Sequence, residues 1–503
     1  MSTLLPARSS SLWLDKAERP VYPPLDVDDD ADVAVVGAGI VGLTTAVLLA
    51  RTGRRVVVLD RRGVGAVTSG NTTAKVTVLH GLRYARITRK RGPSAARAYA
   101  EANGAGLRWL VDEARLAGGA VESAAAYTYV TDPRLVPQIE HEVAALRAAG
   151  VDGTITTQTG LPFDVAAAVM VADQAQFDPV PHLDRLASEV VAAGGAVHEG
   201  THVVAARAGS PCEVSTADGH TVRAERVVLA TGIPFADRGL FFARLEPMRS
   251  YGIALLLEGP APDGMYLSAD PVTRSVRSAV GADGTRYLVV GGEGHKVGQG
   301  SPTLPRQERL ARWALEHFPV AEVTHRWSAQ DYRPADLLPY VGAAWHGTDR
   351  VLTATGFDKW GMTNGTAAAL ALAGLVRGEP VQWSGAFAAH RMTVRASAES
   401  VAAMNADVAV HLAAGWLRPD ASRRPPPEGE GLVERRMVTK VARSRVDGFD
   451  YAVCATCTHL GGIVGWNDAE QTWDCPLHGS RFAPDGTVLE GPATRPLGAV
   501  RIG

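Results

Sequence analysis

Four residues near the C-terminal end of the chain have the types and spacing of metal ligands. Cys457 and His459 stand in C-T-H, and Cys475 and His478 in C-P-L-H, with residues 460–474 between them. Each pair offers one thiolate and one imidazole. A 2Fe–2S cluster can divide such a set, with both cysteines on one iron and both histidines on the other. Because each pair is mixed, two loops must meet to build the site. The rival is a structural Cys2His2 zinc site. Zinc modules usually pair like ligands, as C-x2–4-C and H-x3–5-H, so the mixed pairs favour iron and sulfur.

A second constellation lies near the start, at Gly37-Ala38-Gly39-Ile40-Val41-Gly42. Gly37 permits a tight turn, Gly39 lets a pyrophosphate approach the backbone, and Gly42 lets a helix pack closely on a strand. Ile40 and Val41 open the helix whose unpaired N–H groups and dipole face the phosphates. Asp60 follows about 20 residues on, where a carboxylate accepts hydrogen bonds from a ribose. Arg61 joins the same cofactor-binding set. Arg61 and Arg62 also allow a phosphate clamp for NADP, but a solvated turn is the preferred reading. The fingerprint alone does not separate FAD from NAD.

The elements that must position these residues are legible in outline. Asp32–Val36 reads as a buried strand, Val41–Arg51 as a helix and Arg55–Leu59 as a second strand. Helical patterns follow at Ser94–Ala117 and Leu135–Ala149, and a strand at Arg226–Leu229 reaches Ala230-Thr231-Gly232. An apolar helix is expected over Thr366–Leu375. Val33–Ala50 carries no charge and has nearly the length of a membrane span. Its glycines and its change of period favour strand, turn and helix, so no membrane span is expected. Pro419–Gly431, P-D-A-S-R-R-P-P-P-E-G-E-G, reads as a semi-rigid spacer. Short strand-like runs follow it (Leu432–Val433, Met437–Val441, Tyr451–Val453), so the end of the chain reads as a small all-β module. A metal centre would help a module of that size to hold together.

Gross composition sets the outer limits. The chain has 503 residues, 46% hydrophobic and 21% charged, with a formal net charge of −2. That balance gives no electrostatic reason to expect nucleic acid as a partner. Three of the four cysteines, Cys454, Cys457 and Cys475, crowd near the C-terminus and the fourth is Cys212. This distribution suits a reducing cytoplasm and a metal site better than a disulfide framework. The N-terminus has no apolar core of signal-peptide length.

Several further segments resemble the FAD-dependent oxidoreductases of the D-amino acid oxidase and glycine/sarcosine oxidase superfamily, and in particular members with a fused C-terminal Rieske domain. The carriers are T-S-G-N-T-T-A-K-V-T (Thr68–Thr77), Q-F-D-P (Gln176–Pro179), V-G-G-E-G-H-K (Val290–Lys296), Q-D-Y-R-P-A-D-L-L-P-Y-V-G (Gln330–Gly342) and T-G-F-D-K-W-G-M-T-N-G (Thr355–Gly365). The resemblance implies an α/β fold: a Rossmann-like FAD-binding domain interleaved with a mixed-sheet α+β substrate domain, plus a small all-β Rieske domain. The implied division is an N-terminal extension over 1–30, the oxidoreductase over 31–415, a linker over 416–431 and the Rieske domain over 432–503. FAD-binding pieces would run over about 31–80, 150–235 and 336–415, and substrate-domain pieces over about 81–149 and 236–335.

The same resemblance implies FAD as cofactor. Thr72, Thr73, Ala74 and Lys75 would lie along the flavin and pyrophosphate, with Val203 near the adenine, followed by Ala230, Thr231 and Gly232. Gly356, Lys359, Gly361, Met362 and Thr363 would face the flavin. Relatives that bind flavin covalently use a cysteine in the later half of the FAD portion, and none stands between Cys212 and Cys454, so no cysteinyl-flavin bond is expected. The substrate-side candidates are Arg249, Tyr251, His295, Lys296, Tyr332 and Lys359, with Trp360 and His80 close by. Each has a plainer alternative: Arg249 could pair with a structural carboxylate, the tyrosines could be strand residues with satisfied hydroxyls, and Lys296 could be solvated.

T-C-T-H-L-G-G and W-D-C-P-L-H-G-S-R-F closely resemble Rieske proteins. Many of those carry two further cysteines that form a disulfide bracing the ligand loops. Gly462 and Leu477 occupy those positions here. Ser480 stands where relatives hydrogen-bond a cluster sulfur, and Phe482 where high-potential relatives often carry a tyrosine. The expected function is oxidation of an amine or amino acid by hydride transfer to FAD. Electrons would then leave through the 2Fe–2S cluster to an external acceptor. An electron-transfer protein serving a partner oxygenase or reductase is the alternative, and a purely structural cluster is a third possibility. Gly292-x-Gly294 lacks the setting of a second nucleotide fingerprint.

Overall fold

Asp29–Val36 ends in four buried residues, Val33 to Val36. A strand apolar on both faces belongs inside a parallel sheet. It lies there, parallel to both Val56–Leu59 and Thr221–Leu229. The sheet order is Tyr340–Ala343, Val351–Thr355, Thr221–Leu229, Asp29–Val36, Val56–Leu59, Ala196–His198, and the strands Val203–Arg207 and Cys212–Thr216 extend it from Thr221–Leu229. The computed structural model describes residues 4–6, 9–15, 18–116, 121–281, 284–300, 302–391, 394–417, 425–436 and 439–501.

Two helices bring their N-termini to the C-terminal edge of this sheet: Ile40–Ala50 and Gly361–Arg377. The second begins five residues before the expected Thr366. Glycine is a poor helix former, but tertiary packing requires it here. A Cβ on Gly365 would press to 3.1 Å from Ile40, and one on Gly106, in the helix Pro93–Leu116, would collide with the Thr363 carbonyl.

The second sheet is mixed. Its order is Val320–Pro334, Leu245–Leu257, Arg286–Lys296, Arg274–Val280, Met265–Ser268, Glu122–Val130, Ala167–Gln176 and Lys75–Val76, with Thr154–Thr156 on Ala167–Gln176. The expected division at residue 150 therefore moves. Residues 154–176 pair in the substrate-side sheet, and the chain returns to the FAD-side layer at the helix Pro179–Ala192. The N-terminal extension is anchored at Ser11 and Trp13. Trp13 is buried and donates from Nε1 to the Thr72 carbonyl at 2.7 Å, and Ser11 donates to the Gly70 carbonyl at 2.6 Å.

The C-terminal module is all β, a three-stranded antiparallel sheet starting at Gly431–Arg436 and a four-stranded one ending at Val488–Glu490. The expected linker is shorter than 416–431: the helix Val394–Leu417 covers its first two residues and Gly431 already begins a strand. Residues 418–424 lie outside the described residues, as do Ala117, Met437 and Val438 at the ends of expected elements.

A buried ion network joins this module to the substrate-side sheet. Arg481 pairs with Glu470 at 2.5 Å, Glu490 at 2.6 Å and Asp474 at 3.0 Å. Arg249, from the strand Leu245–Leu257, crosses to Glu470 and to Glu490. Asp468 accepts the Thr303 and Leu304 amides at 2.6 and 3.1 Å, which satisfies the start of the helix Leu304–His317 from the other domain. Breaking a buried pair strands its partner charge. Arg249→Met is therefore expected to lower the unfolding free energy by roughly 3 kcal/mol, read by denaturant titration.

Burial alone would push the Glu470 carboxyl up, but Arg249 and Arg481 override it and hold the group at about 2. Its ordinary value is 4.5. A depressed folded pKa adds stability that is complete above the unfolded value and is lost as pH falls through the folded one. Acid between pH 4.5 and about 2 is thus expected to weaken this contact. Glu470→Gln, followed by near-ultraviolet circular dichroism across that window, should flatten the transition.

Candidate functional site

A cavity of about 560 Å³ opens where the two sheets and the C-terminal module meet. Gly37, Gly39, Ile40 and Val41 line it, with Asp60 and Arg61. Gly42 lies behind, where any side chain would collide with the Gly37 carbonyl. Gly37 itself has φ +110°, and a Cβ there would clash with the Ala230 carbonyl, so glycine is required on two grounds. Asp60 accepts the Ala38 amide at 2.8 Å and those of Arg62 and Gly63 at 2.8 and 2.9 Å. Arg61 is not in a solvated turn as expected. It is half-buried and donates to the Leu489 carbonyl of the C-terminal module.

Thr72, Thr73, Lys75, Val203, Ala230, Thr231, Gly232, Gly361 and Met362 also line the cavity. Ala74, Gly356 and Thr363 support it from behind: Gly356 packs on Pro334 and Leu245, and the Thr363 hydroxyl donates to the Thr77 carbonyl at 3.2 Å. The helices Ile40–Ala50 and Gly361–Arg377 both start at the cavity, and neither is capped by the side chain of its own N-cap residue. The Ser69 hydroxyl takes the Ile40 amide at 3.0 Å, which leaves the other first-turn amides for an anionic ligand. Two such helix starts, a glycine cradle with no room for side chains, and Asp60 beside it fit a dinucleotide. No cysteine lines the cavity, and Cys212 is buried in the far layer.

The six substrate-side candidates divide evenly. Tyr251, Tyr332 and Lys359 line the cavity, as do Trp360 and His80. Arg249, His295 and Lys296 do not, and each is held elsewhere. Arg249 is spent on the interdomain network. Lys296 pairs with Glu246 at 2.5 Å and Asp407 at 3.2 Å. His295 Nδ1 lies 2.8 and 3.1 Å from the Lys296 and Gln299 carbonyls, so it carries the proton. Nε2 then accepts from the Tyr251 hydroxyl at 3.0 Å. His295 orients Tyr251.

His80 stacks on Trp360 at 4.3 Å and is hydrogen-bonded to Thr77 and Tyr99. Burial drives its pKa down to about 3, so the ring is neutral. Asp358 and Lys359 both adopt left-handed backbone, φ +46° and +73°. Such strain concentrates at functional sites. Asp331 holds this turn by accepting the Lys359 amide, together with the Tyr332 amide at 2.7 Å. Burial raises the Asp331 carboxyl to about 7. Asp331, Gln330 and the Arg83–Asp358 pair were not singled out from sequence, although Gln330 and Asp331 lie in the Q-D-Y-R-P-A-D segment.

The expected metal ligands meet from two loops. The Cys457 and Cys475 thiols are in hydrogen-bond contact. The His459 and His478 rings lie 5.2 Å apart, and Phe242 of the flavoprotein body packs edge-on against both, at 5.5 and 5.1 Å. Among the described residues no three such donors gather at one point, and these four fall as a thiol pair and an imidazole pair. That division matches a two-iron cluster. Cys475, then the His459 amide and the Ser480 hydroxyl, draw the Cys457 thiol below its ordinary value against burial. Ser480 accepts the Ala493 amide at 3.1 Å, which leaves its proton free for that sulfur. A Cβ on Gly462 would come within 2.7 Å of Leu477 and 3.1 Å of Cys475 Sγ. Leucine over glycine thus fills the space between the two loops.

The family model for FAD dependent oxidoreductase matches residues 32–375. The chain belongs to that family. A second model, Rieske [2Fe-2S] domain, matches residues 425–501. FAD and a Rieske 2Fe–2S cluster are accordingly the cofactors of this oxidoreductase. It is 35% identical over 491 residues to the putative Rieske 2Fe-2S iron-sulfur protein YhfW of Bacillus subtilis (strain 168), with 96% of each chain covered. The cytochrome b6-f complex iron-sulfur subunit 3 of Nostoc is 54% identical over 46 residues, 9% of this chain and 26% of that subunit. Glycine oxidase from Geobacillus kaustophilus shares the fold, with TM-score 0.61 and 18% identity over 72% of this chain and 99% of that one. No helix among the described residues is long and apolar enough to cross a membrane.

Phe482 is fully buried and has no donor to offer a ligand sulfur. Fewer hydrogen bonds to sulfur lower the potential. A midpoint in the lower part of the Rieske range of about −150 to +300 mV is expected by redox titration, with two irons and two acid-labile sulfides per chain by chemical analysis.

Proposed function

We propose that this oxidoreductase oxidises an amine or amino acid at FAD and delivers the electrons singly, through its Rieske cluster, to an external acceptor. The observation that carries this reading is the shared cavity wall: Glu490, Gly491, Ala493 and Thr494 of the Rieske domain line the same cavity as the dinucleotide fingerprint. The cluster loop lies just behind them, since Gly491 abuts Ser480 so closely that a Cβ would come within 2.6 Å of its Cα. FAD supplies a two-electron hydride acceptor and the cluster a one-electron carrier.

The residues of the chain do the remaining work. Tyr251 and Tyr332 line the cavity, with their hydroxyls fixed by His295 and by Gln330. Lys359 and Trp360 close the cavity from the strained turn. His80, neutral, adds no charge that would repel an ammonium group. Hydride removal from a carbon bearing an amine depends on placement and on a neutral amine more than on a strong base. The likeness in fold to glycine oxidase supports the amine class of donor without naming the substrate.

Anaerobic titration with a panel of amines and amino acids is expected to bleach the flavin band first and then reduce the cluster. Reduction by NAD(P)H alone, with no response to any amine, would overturn the reading in favour of a relay to a partner enzyme.

A further inference from the structure

Gln330 lies between the cavity and the cluster loop. It lines the cavity, is 2% exposed, and belongs to the strand Val320–Pro334. Its Nε2 donates to the Tyr332 hydroxyl at 2.8 Å and to the Gly479 carbonyl at 2.8 Å. Tyr332 also lines the cavity. Gly479 follows the ligand His478, and its amide donates to the carbonyl of the ligand Cys475 at 3.2 Å. One amide group therefore touches a cavity-lining tyrosine on one side and, on the other, the backbone immediately after the ligand His478.

Two further observations separate this contact from ordinary packing. Gly479 has φ +77°, and a Cβ there would stand 2.8 Å from Gln330 Nε2, so the loop approaches the amide as closely as glycine allows. Gln330 Oε1 is buried without a hydrogen-bond partner. An unpaired buried acceptor is costly, and an apolar residue of the same size would avoid that cost. The side chain is thus better explained by what its Nε2 joins than by the space it fills.

We propose that Gln330 is the bridging residue for electron transfer from the flavin cavity to the Rieske cluster, by way of Tyr332 and the Gly479 carbonyl. This rests on the reading of the cluster as the electron exit. Each transfer moves one electron: the reduced flavin is oxidised by one, the iron pair is reduced by one, and an external one-electron acceptor must reoxidise the cluster before the next. Protons released from the flavin pass to solvent. Gln330 changes neither redox partner chemically. It holds the two sides in contact.

The test needs no substrate. In the holoenzyme, a laser flash with EDTA as sacrificial donor reduces the bound flavin, and cluster reduction is then followed by its visible band. Gln330→Leu keeps the volume and removes the amide. Gln330→Asn keeps the amide but shortens its reach, and it serves if the leucine variant loses a cofactor. The flavin-to-cluster rate is expected to fall severalfold in both variants. The electron paramagnetic resonance spectrum of the reduced cluster and both midpoint potentials should stay at their wild-type values. Unchanged transfer rates in both variants overturn the bridge, as do rates that fall only in step with altered potentials. Absence of flavin-to-cluster transfer in the wild-type protein would instead overturn the electron-exit reading itself.

Discussion

The contact of Arg249 and Arg481 with Glu470 and Glu490 sets the geometry on which the rest of the molecule depends. Two arginines and two glutamates, all nearly buried, are a poor source of net stability, because desolvating them offsets most of their attraction. An apolar patch would bind the domains as well but would let them slide. Charges with fixed directions do not. Arg481 reaches three carboxylates of its own module, and Arg249 enters from the opposite sheet to share two of them. The Rieske domain therefore has one way to sit. That placement makes Glu490 to Thr494 a wall of the cavity, and it puts Phe242 against both histidine ligands.

The cavity follows a different electrostatic rule. Several groups that could carry charge there are paired or pushed toward neutrality. Arg83 is tied to Asp358. Burial drives His80 down to about 3, raises Tyr332 above its ordinary value and lifts Asp331 to about 7. Lys75, buried and hydrogen-bonded to Ser275, is lowered by burial and then by Arg277. These groups add little charge to the part of the cavity they line. That setting suits chemistry governed by placement, which is the demand of hydride transfer.

How far the sequence could be read depended on whether a residue's role was local. The fingerprint, the ligand pairs and the valine-rich strand were legible because each needs only a turn, a spacing or a period to be recognised. Gly365 behaves otherwise. It stands just ahead of the expected helix Thr366–Leu375, and it is glycine because Ile40 and Val41 of a helix from elsewhere press on it. Arg249 was chosen as a substrate residue and is an interdomain ion partner, since its carboxylates stand more than two hundred positions away. The role of Gln330 is hidden for the same reason. Its partner Gly479 lies in another domain, and nothing in Q-D-Y-R-P announces it.

The ligand loops make the dependence on docking plain. Where related clusters are braced by a disulfide, this chain has Gly462 and Leu477, and Leu477 simply covers the gap. A bracing function lost from inside the domain has to be supplied from outside. Gly298 lies so close to Pro476 that a Cβ would come within 2.6 Å of its nitrogen, and Gln330 fastens Gly479. The second ligand loop is thereby clamped by the flavoprotein surface rather than by a covalent bond. A clamp of that kind does what a disulfide cannot. It fixes the loops only when the Rieske domain is seated, so the cluster is braced in the one arrangement in which it also borders the flavin cavity.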